Sequence, residues 1–441
     1  MRLGPDVILP DTVQVPRYDR AAQAAGIVHF GIGAFHRAHQ AAYTDAAMNA
    51  GDRNWGIIGV SMRSGDVAAR INPQAGLYTV TEQSAAGART RLIGAVQRIL
   101  VAPHDVPAIA AAIGSPAVHI VSFTITEKGY TQTADGTFPA FCAVLADGLE
   151  RRQAAGLGGV TLICCDNLTA GGALLERLME QYLARCRPAL AAWFTEHCAC
   201  PSAMVDRIVP APTLSDQLIA PGLEDHGAVV TEPFGQWVIE DCFAGNRPRW
   251  EAGGAQLVAD VRPYETAKLR MLNGAHSALS YLGLKYGHMF VHQAIGDPAI
   301  RLLIDTLMRQ EAAPTIDAAA GQNLDAYADA LLARFANPAL NHRLVQIAMD
   351  GSHKVPQRWL ETLAIRQQRG LESPALLTAI AAWIDHLRTG GAALNDPRAA
   401  ELTKAVSGPS AAAQLFGPGG LVRSEWVPSS SEIATINYAL A

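Results

Sequence analysis

No stretch of this chain approaches the roughly 20 consecutive apolar residues that a membrane helix needs. The first residues, MRLGPDVILPDTVQVPRYDR, carry neither the basic start nor the apolar core of a secretion signal. A cytosolic protein is the expectation. Charge is sparse, at 17% of 441 residues, and the formal net charge is −5. That mildly acidic balance gives no electrostatic reason to expect nucleic acid or an anionic membrane as partner. Cysteine occurs seven times, an odd number, and no pair of CxxC motifs is present. His197, Cys198 and Cys200 form one compact cluster of potential metal ligands. Ala199 and Pro201 mark it as a short loop, no second ligand pair accompanies it, and no metal is expected. Internal repeats are absent too, and the only low-complexity feature is the turn Ser429–Ser431. What is abundant is apolar material, 49% of the chain, enough for sizeable cores in two or three domains.

The apolar residues are organised differently in the two halves. GIVHFG (26–31), NWGIIGVSM (54–62), AVHIVSFTIT (117–126) and VTLICCDN (160–167) read as buried strands. Helical patterns lie between them, AFHRAHQAAYTDAAMNAG up to Gly51 and FCAVLADGLERRQAAG among them. This alternation predicts an α/β domain with a parallel sheet covered on both faces, over about residues 1–258. Ligands of such sheets sit beyond the carboxyl ends of the strands. From 259 to 441 helical patterns dominate. Ser373-Pro374 and Asp396-Pro397 read as capped helix starts, and Gly390-Gly391 and Gly408 as stops.

Gly31-Ile32-Gly33 stands between the first strand and the first helix. The first glycine permits a tight turn, and the second lets a pyrophosphate approach the helix N-terminus. Position 36, where a third glycine would complete GxGxxG, is histidine. Nor does a carboxylate close the second strand, where one would accept from the adenosine ribose. Ser61-Met62-Arg63-Ser64 stands there, and Ser61 with Arg63 is compatible with a 2′-phosphate. Alternatively, Arg63 only covers the adenine face.

Residues 263–277, PYETAKLRMLNGAHS, read as one helix. At about 100° per residue, Lys268, Asn273 and His276 fall near 0°, 140° and 80°, on one broad face. A lysine partly withdrawn from water titrates lower and can act as a base, and asparagine can donate to a developing alkoxide. A solvated lysine, a helix-bend asparagine and a satisfied core histidine would produce the same spacing.

GIGAFHRAHQAAY (31–43), SFTITEKGY (122–130), CCDNL (164–168), KLRMLNGAH (268–276, with K-x4-N-x2-H) and MDGSHKVPQRW (349–359) occur in this order. Over about residues 26–430 the chain resembles the long-chain mannitol dehydrogenase family, which spans mannitol dehydrogenases, fructuronate reductases and arabinitol dehydrogenases. The resemblance implies a Rossmann-type N-terminal domain, a mainly α-helical C-terminal domain, a cleft between them and no zinc. It implies NAD as cofactor, with NADP compatible, held by Gly31, Ile32, Gly33, Phe35, His36, Arg63, Thr126 and Glu127. Lys268 would be the general base, Asn167 and Asn273 would hold the alkoxide, and His276, Asp206 and Lys354 would contact substrate hydroxyls. Glu265 would gate proton exchange with solvent.

One departure concerns substrate. Family members often carry arginine eight residues before the lysine matching Lys354, and here that position is Gln346. FGQWVIEDCFAGNRPRWEAGG (234–254) is closer to the fructuronate-reductase branch, whereas a lost cation argues against a uronate. The expected reaction therefore interconverts an acyclic polyol or aldonate with its ketose or ketouronate. Set against this are a dehydrogenase of a non-sugar hydroxy acid, a non-catalytic dinucleotide sensor and a zinc alcohol dehydrogenase. Two domains enclosing a cleft are compatible with a monomer.

Overall fold

The structure, a computed structural model, describes residues 1–210, 213, 215–339, 341–391 and 394–440. The chain divides into two compact units, Met1–Arg262 and Pro263–Ala441.

Five parallel strands form the centre of the first unit: β1 (Ala25–Phe30), β2 (Gly56–Ser61), β3 (Val96–Val101), β4 (Ile120–Phe123) and β5 (Thr161–Cys164). Their order is β3-β2-β1-β4-β5, the Rossmann-type arrangement. Alternate residues serve two cores, as expected of a sheet buried on both faces. Val28, Phe30, Val121, Phe123 and Leu162 pack with Ile109, Phe141 and Leu145 from helices Ala102–Ile113 and Ala140–Ala154. Ile27, Ile57, Ile120 and Ile163 pack with Ala41 and Ala42 of helix Gln40–Asn49 and with Trp237 and Trp250. Phe30 is level with Val60 on one side and Phe123 on the other, and Phe123 is level with Cys164. The four strands read from the sequence thus release their loops side by side.

The helical pattern after Gly33 is interrupted. It runs as Ala34–Ala38 and Gln40–Asn49, broken at His39, whose ψ of −93° is not helical. Several polar strands have no counterpart in the sequence reading. Tyr78–Ser84 and Gly87–Ile93 form a hairpin. Val229–Thr231 pairs along one side of it, and Val13–Gln14, within the extended lead-in, along the other. The buried Asp225 carboxylate ties this sheet down, accepting from Thr79 N and Oγ1 and from Gln74 Nε2. A second small sheet joins β6 (Ala203–Asp206), β7 (Gln236–Glu240) and β8 (Gln256–Val258), with β7 central.

The second unit is helical. Helix Pro374–Thr389 packs against Gly274–Lys285 and Ser430–Leu440 over a core rich in large side chains, including Trp359, Trp383, Trp426 and Tyr281. Three helical runs contain π turns: π1 (Lys268–Asn273), π2 (Leu307–Ala312) and π3 (Pro356–Leu360). The first packs against both others.

One of the two capping expectations is corrected here and the other is extended. Helix Pro374–Thr389 begins where expected, but the Ser373 hydroxyl accepts from Arg366 Nε at 2.8 Å and caps nothing. The helix N-terminus is capped from outside its own strand of sequence. Glu311, in π2, accepts from Ala375 N and Leu376 N through its two oxygens, each at 2.8 Å. Asp396 accepts from Arg398 N at 2.8 Å in the turn that leads into helix Ala399–Val406, as expected, and serves a second helix as well. It accepts from Ser352 N and Oγ, both at 2.7 Å, at the start of Gly351–Val355. The reason is the same in both cases: free amides at a helix start take whichever carboxylate packing delivers. Glu311→Ala leaves two buried amides without partners and should cost about 1–3 kcal/mol. Denaturant unfolding measures this, with Glu311→Gln, which keeps one acceptor, expected to fall in between.

Candidate functional site

At the carboxyl ends of β1, β2 and β4 the first unit holds a cleft of about 440 Å³. Its walls include Gly31, Ile32, Gly33, Ser61, Arg63, Thr124 and Thr126, and no carboxylate among the described residues. Larger cavities exist in this unit, one of about 960 Å³ under the lead-in residues Gly4–Tyr18, but they contain none of the expected site residues. Gly31 has φ +97°, and a Cβ there would overlap the Thr124 carbonyl oxygen. Only glycine makes this turn. At Gly33 a Cβ would meet nothing nearer than Gly31 O at 3.8 Å. The protein itself does not need that glycine, whose missing side chain opens the start of the following helix.

The loop after β4 carries backbone strain. Thr126 has φ +69° and ψ 159°, a region that β-branched residues avoid. Asp166 holds it there. Its carboxylate accepts from Ile125 N at 2.8 Å, Thr126 N at 3.1 Å and Tyr130 Oη at 2.6 Å. Burial raises the Asp166 pKa, and these hydrogen bonds work in the opposite direction. The sequence reading passed over this residue, although a carboxylate ending a buried strand beside Asn167 was a usable signal. Asn167 itself is exposed in the turn after β5, and Asp206 is buried at the end of β6.

Three expected cofactor residues lie off the cleft wall. His36 is fully buried beneath the glycine loop, its ring stacked 3.4 Å from that of His29. His29 bonds Ser122 Oγ and Thr124 Oγ1, and Thr124 Oγ1 donates to Gly31 O. Burial pushes His36 well below the usual imidazole range and lowers His29 to about 3, so both rings are neutral props. A histidine in the third-glycine position thus points into the core, because the helix there packs on the sheet. Phe35 stacks on His39, and Glu127 is exposed outside the cleft. Arg63 is exposed at the rim, while the Ser61 hydroxyl donates to Ser64 O.

In the second unit Lys268, Asn273 and His276 share one continuous helical run, but not the winding assumed above. Lys268–Asn273 is a π turn, with α-helix on either side. Winding by i→i+5 bonds brings residues five apart nearer to register than an α-helix does, so Lys268 and Asn273 share a narrower sector than 140°. Arg270 fastens one side of this turn, donating to Thr315 O at 2.6 Å. Arg358, in π3, fastens the other, donating to Asn273 O at 3.2 Å and Ser277 Oγ at 2.7 Å. Trp359 Nε1 adds a bond to Gly274 O. Lys268 is half-buried and Glu265 buried.

His276 stands edge-on to His342, ring centroids 5.4 Å apart, and its Nε2 is buried with no partner among the described residues. His342 Nδ1 is equally unpartnered. Burial, then His342 and the charges of Arg334 and Arg358, holds His276 well below the usual range, and burial lowers His342. Sequence reasoning missed His342 and Arg358, which lie far along the chain from the lysine motif. Lys354 donates to Met349 O at 2.6 Å and Ile347 O at 3.2 Å. Gln346 is exposed on the short helix Leu344–Ile347 that Lys354 reaches.

His197, Cys198 and Cys200 end helix Pro188–His197 and pack there. His197 Nδ1 meets Trp193 O at 3.0 Å, and both thiols contact the sheet core. Among the described residues no three of His, Cys, Asp and Glu gather as a metal set. No helix among them is long and apolar enough to cross a membrane.

A Rossmann-type sheet with a glycine turn at its carboxyl edge, joined to a helical unit, defines a class of dinucleotide-binding protein. Residues 25–252 match the mannitol dehydrogenase Rossmann domain and residues 260–414 the mannitol dehydrogenase C-terminal domain. The chain belongs to the mannitol dehydrogenase family, polyol oxidoreductases that act on CH–OH groups. It is 41% identical over 435 residues to the oxidoreductase YeiQ of Escherichia coli (strain K12), covering 92% of this chain and 88% of that one. It is 39% identical to the D-mannonate oxidoreductase of the same organism, covering 88% and 86%. Among solved structures, Pseudomonas fluorescens mannitol 2-dehydrogenase, in ternary complex with NAD and D-mannitol, matches with a TM-score of 0.82. That match has 33% identity and covers 100% of this chain and 96% of that one.

Proposed function

We propose that this chain is an NAD-dependent, metal-independent dehydrogenase that interconverts an acyclic polyol or aldonate with its ketose or ketouronate. The first unit is assigned the dinucleotide and the second the chemistry. The observation that carries the reading is the π turn, which draws Lys268 and Asn273 into one sector of a helix fastened on both sides by arginine.

The cleft residues suit a dinucleotide. Gly31 makes the turn, and Gly33 leaves the backbone amides approachable by a pyrophosphate. Thr126 lines the same cleft and Arg63 its rim, with His36 supporting the loop from below. The absence of a carboxylate among the lining residues favours tolerance of NADP as a second cofactor. When bound, the nicotinamide supplies the hydride acceptor or donor.

In oxidation Lys268 takes the substrate hydroxyl proton, and in reduction it returns one to the ketone oxygen. Asn167 and Asn273 donate to the oxygen as negative charge develops on it. His276, Asp206 and Lys354 are assigned to the other hydroxyls, Gln346 to the far end of the chain, and Glu265 to proton exchange with solvent. Relatives named mannitol 2-dehydrogenase and D-mannonate oxidoreductase support this reaction class.

Absorbance at the reduced-nicotinamide band tests the proposal, with polyols, aldonates and non-sugar hydroxy acids each offered to NAD and NADP. Turnover of a sugar substrate that survives strong chelation is the expected result. Turnover of hydroxy acids alone would overturn it. Asn273→Ala should lower kcat by roughly 100-fold, as loss of one oxyanion donor does, with little change in dinucleotide affinity by fluorescence titration.

A further inference from the structure

Lys354 and Arg358 stand one helical turn apart, and both are half-buried cations. Among the described residues their four hydrogen-bond acceptors are all neutral: Ile347 O and Met349 O for the lysine, Asn273 O and Ser277 Oγ for the arginine. Burial depresses the pKa of both, that of Arg358 to about 10, and Arg358 further depresses Lys354. Asp350 and Asp396 lie within electrostatic range of Lys354, but Asp396 is occupied by Ser352 and by Arg398 N.

Two like charges at i,i+4, withdrawn from water and without a bonded carboxylate, destabilise the unit that carries them. An anion between or beside them would relieve that cost. Arg358 is suited to bind one. Both its protein bonds leave from Nη1, and among the described residues nothing bonds Nε or Nη2. That edge can grip a carboxylate with two parallel hydrogen bonds. The same guanidinium touches Asn273, so its ligand lies in the neighbourhood of the proposed alkoxide site. It also supplies a cation in a unit where Gln346 stands in place of one.

We propose that Arg358, with Lys354 beside it, binds a carboxylate of the substrate and makes a sugar acid, not the neutral polyol or ketose of equal length, the preferred substrate. This rests on the dehydrogenase reading above. His276 and His342, neutral and with unpartnered nitrogens, are left to hydroxyl groups.

The test compares kcat/KM of the full chain for D-fructuronate and D-fructose with NADH and NADPH. The acid should be favoured by about 100-fold, the scale of a buried charge-assisted pair. Its KM should rise with added salt while that of the ketose stays level. Arg358→Gln should cut the acid-to-ketose ratio by about 100-fold, and Arg358→Lys should recover part of it. Because Arg358 also fastens the π turn, Lys354→Gln serves as the second variant, with a fall of about tenfold in the ratio expected. A ketose preference in the unmodified chain, or an unchanged ratio in both variants, overturns the proposal. Turnover of fructose alone removes this inference and leaves the dehydrogenase reading standing. Turnover of neither, nor of other sugar substrates, removes both.

Discussion

Lys268→Ala should abolish turnover while leaving the dinucleotide bound as before. Removing the base leaves the hydroxyl proton with no acceptor other than water, and both asparagines then stabilise a charge that no longer forms. General acid–base groups contribute about 10²–10⁴-fold. A fall toward the upper end of that range in kcat is expected, because Lys268 serves both directions of the reaction. Binding and chemistry separate cleanly in this test. Dinucleotide titration should be unchanged, since the cleft residues belong to the first unit and Lys268 to the second. Small exogenous amines should restore part of the rate in the variant. A variant that turns over normally would sink the lysine assignment.

Asp166→Ala should damage the first unit's cleft almost as severely, although Asp166 is assigned no contact with substrate. Two backbone amides and the Tyr130 hydroxyl lose their shared acceptor. Hydrogen bonds to a charged group contribute about 1.5–3 kcal/mol each, but they act on one loop and will not add in full. A net loss of about 3–4 kcal/mol is expected by denaturant unfolding. Thr126, freed from a conformation that costs about 1–3 kcal/mol to hold, should relax away from the cleft. Dinucleotide affinity should fall by at least tenfold, with Asp166→Asn in between. Loss of stability with unchanged affinity would show that the strained loop is not part of the binding surface.

The strands of the parallel sheet were legible where both faces are buried, because Ile27 to Phe30 and Ile120 to Phe123 are apolar but for one residue each, His29 and Ser122, which bond each other in the core. β3 was not, since Gln97 and Arg98 interrupt its run on the sheet edge. The hairpin Tyr78–Ser84 and Gly87–Ile93 was hidden for a similar reason: half of it faces water. Caps failed differently. Ser373 has the right residue type at a helix start, yet the carboxylate there comes from Glu311, far away in sequence, and Asp396 reaches a second helix besides its own. In the site, the lysine motif announced its residue types but not its winding, because nothing in local propensity distinguishes a π turn from an α turn. His342 and Arg358 were invisible to spacing and became candidates only through their unpartnered nitrogens and neutral partners.

The π turn has a consequence for how the site is encoded. It amounts to one residue more than an α-helix would need to connect Glu265 with Gly274. Deleting a single residue from Leu269–Leu272 would let the whole run wind as ordinary α-helix, with no apolar contact necessarily lost beyond the deleted one. Lys268 and Asn273, then four residues apart, would stay within about 40° of one another, whereas winding all the residues present as α-helix would carry Lys268 and Glu265 about 100° round relative to Asn273 and His276. The relation between the proposed base and the proposed oxyanion donor is therefore written in chain length as much as in residue identity. A substitution that let the turn rewind as α-helix would carry the base to a different face, and a single deletion would bring it back.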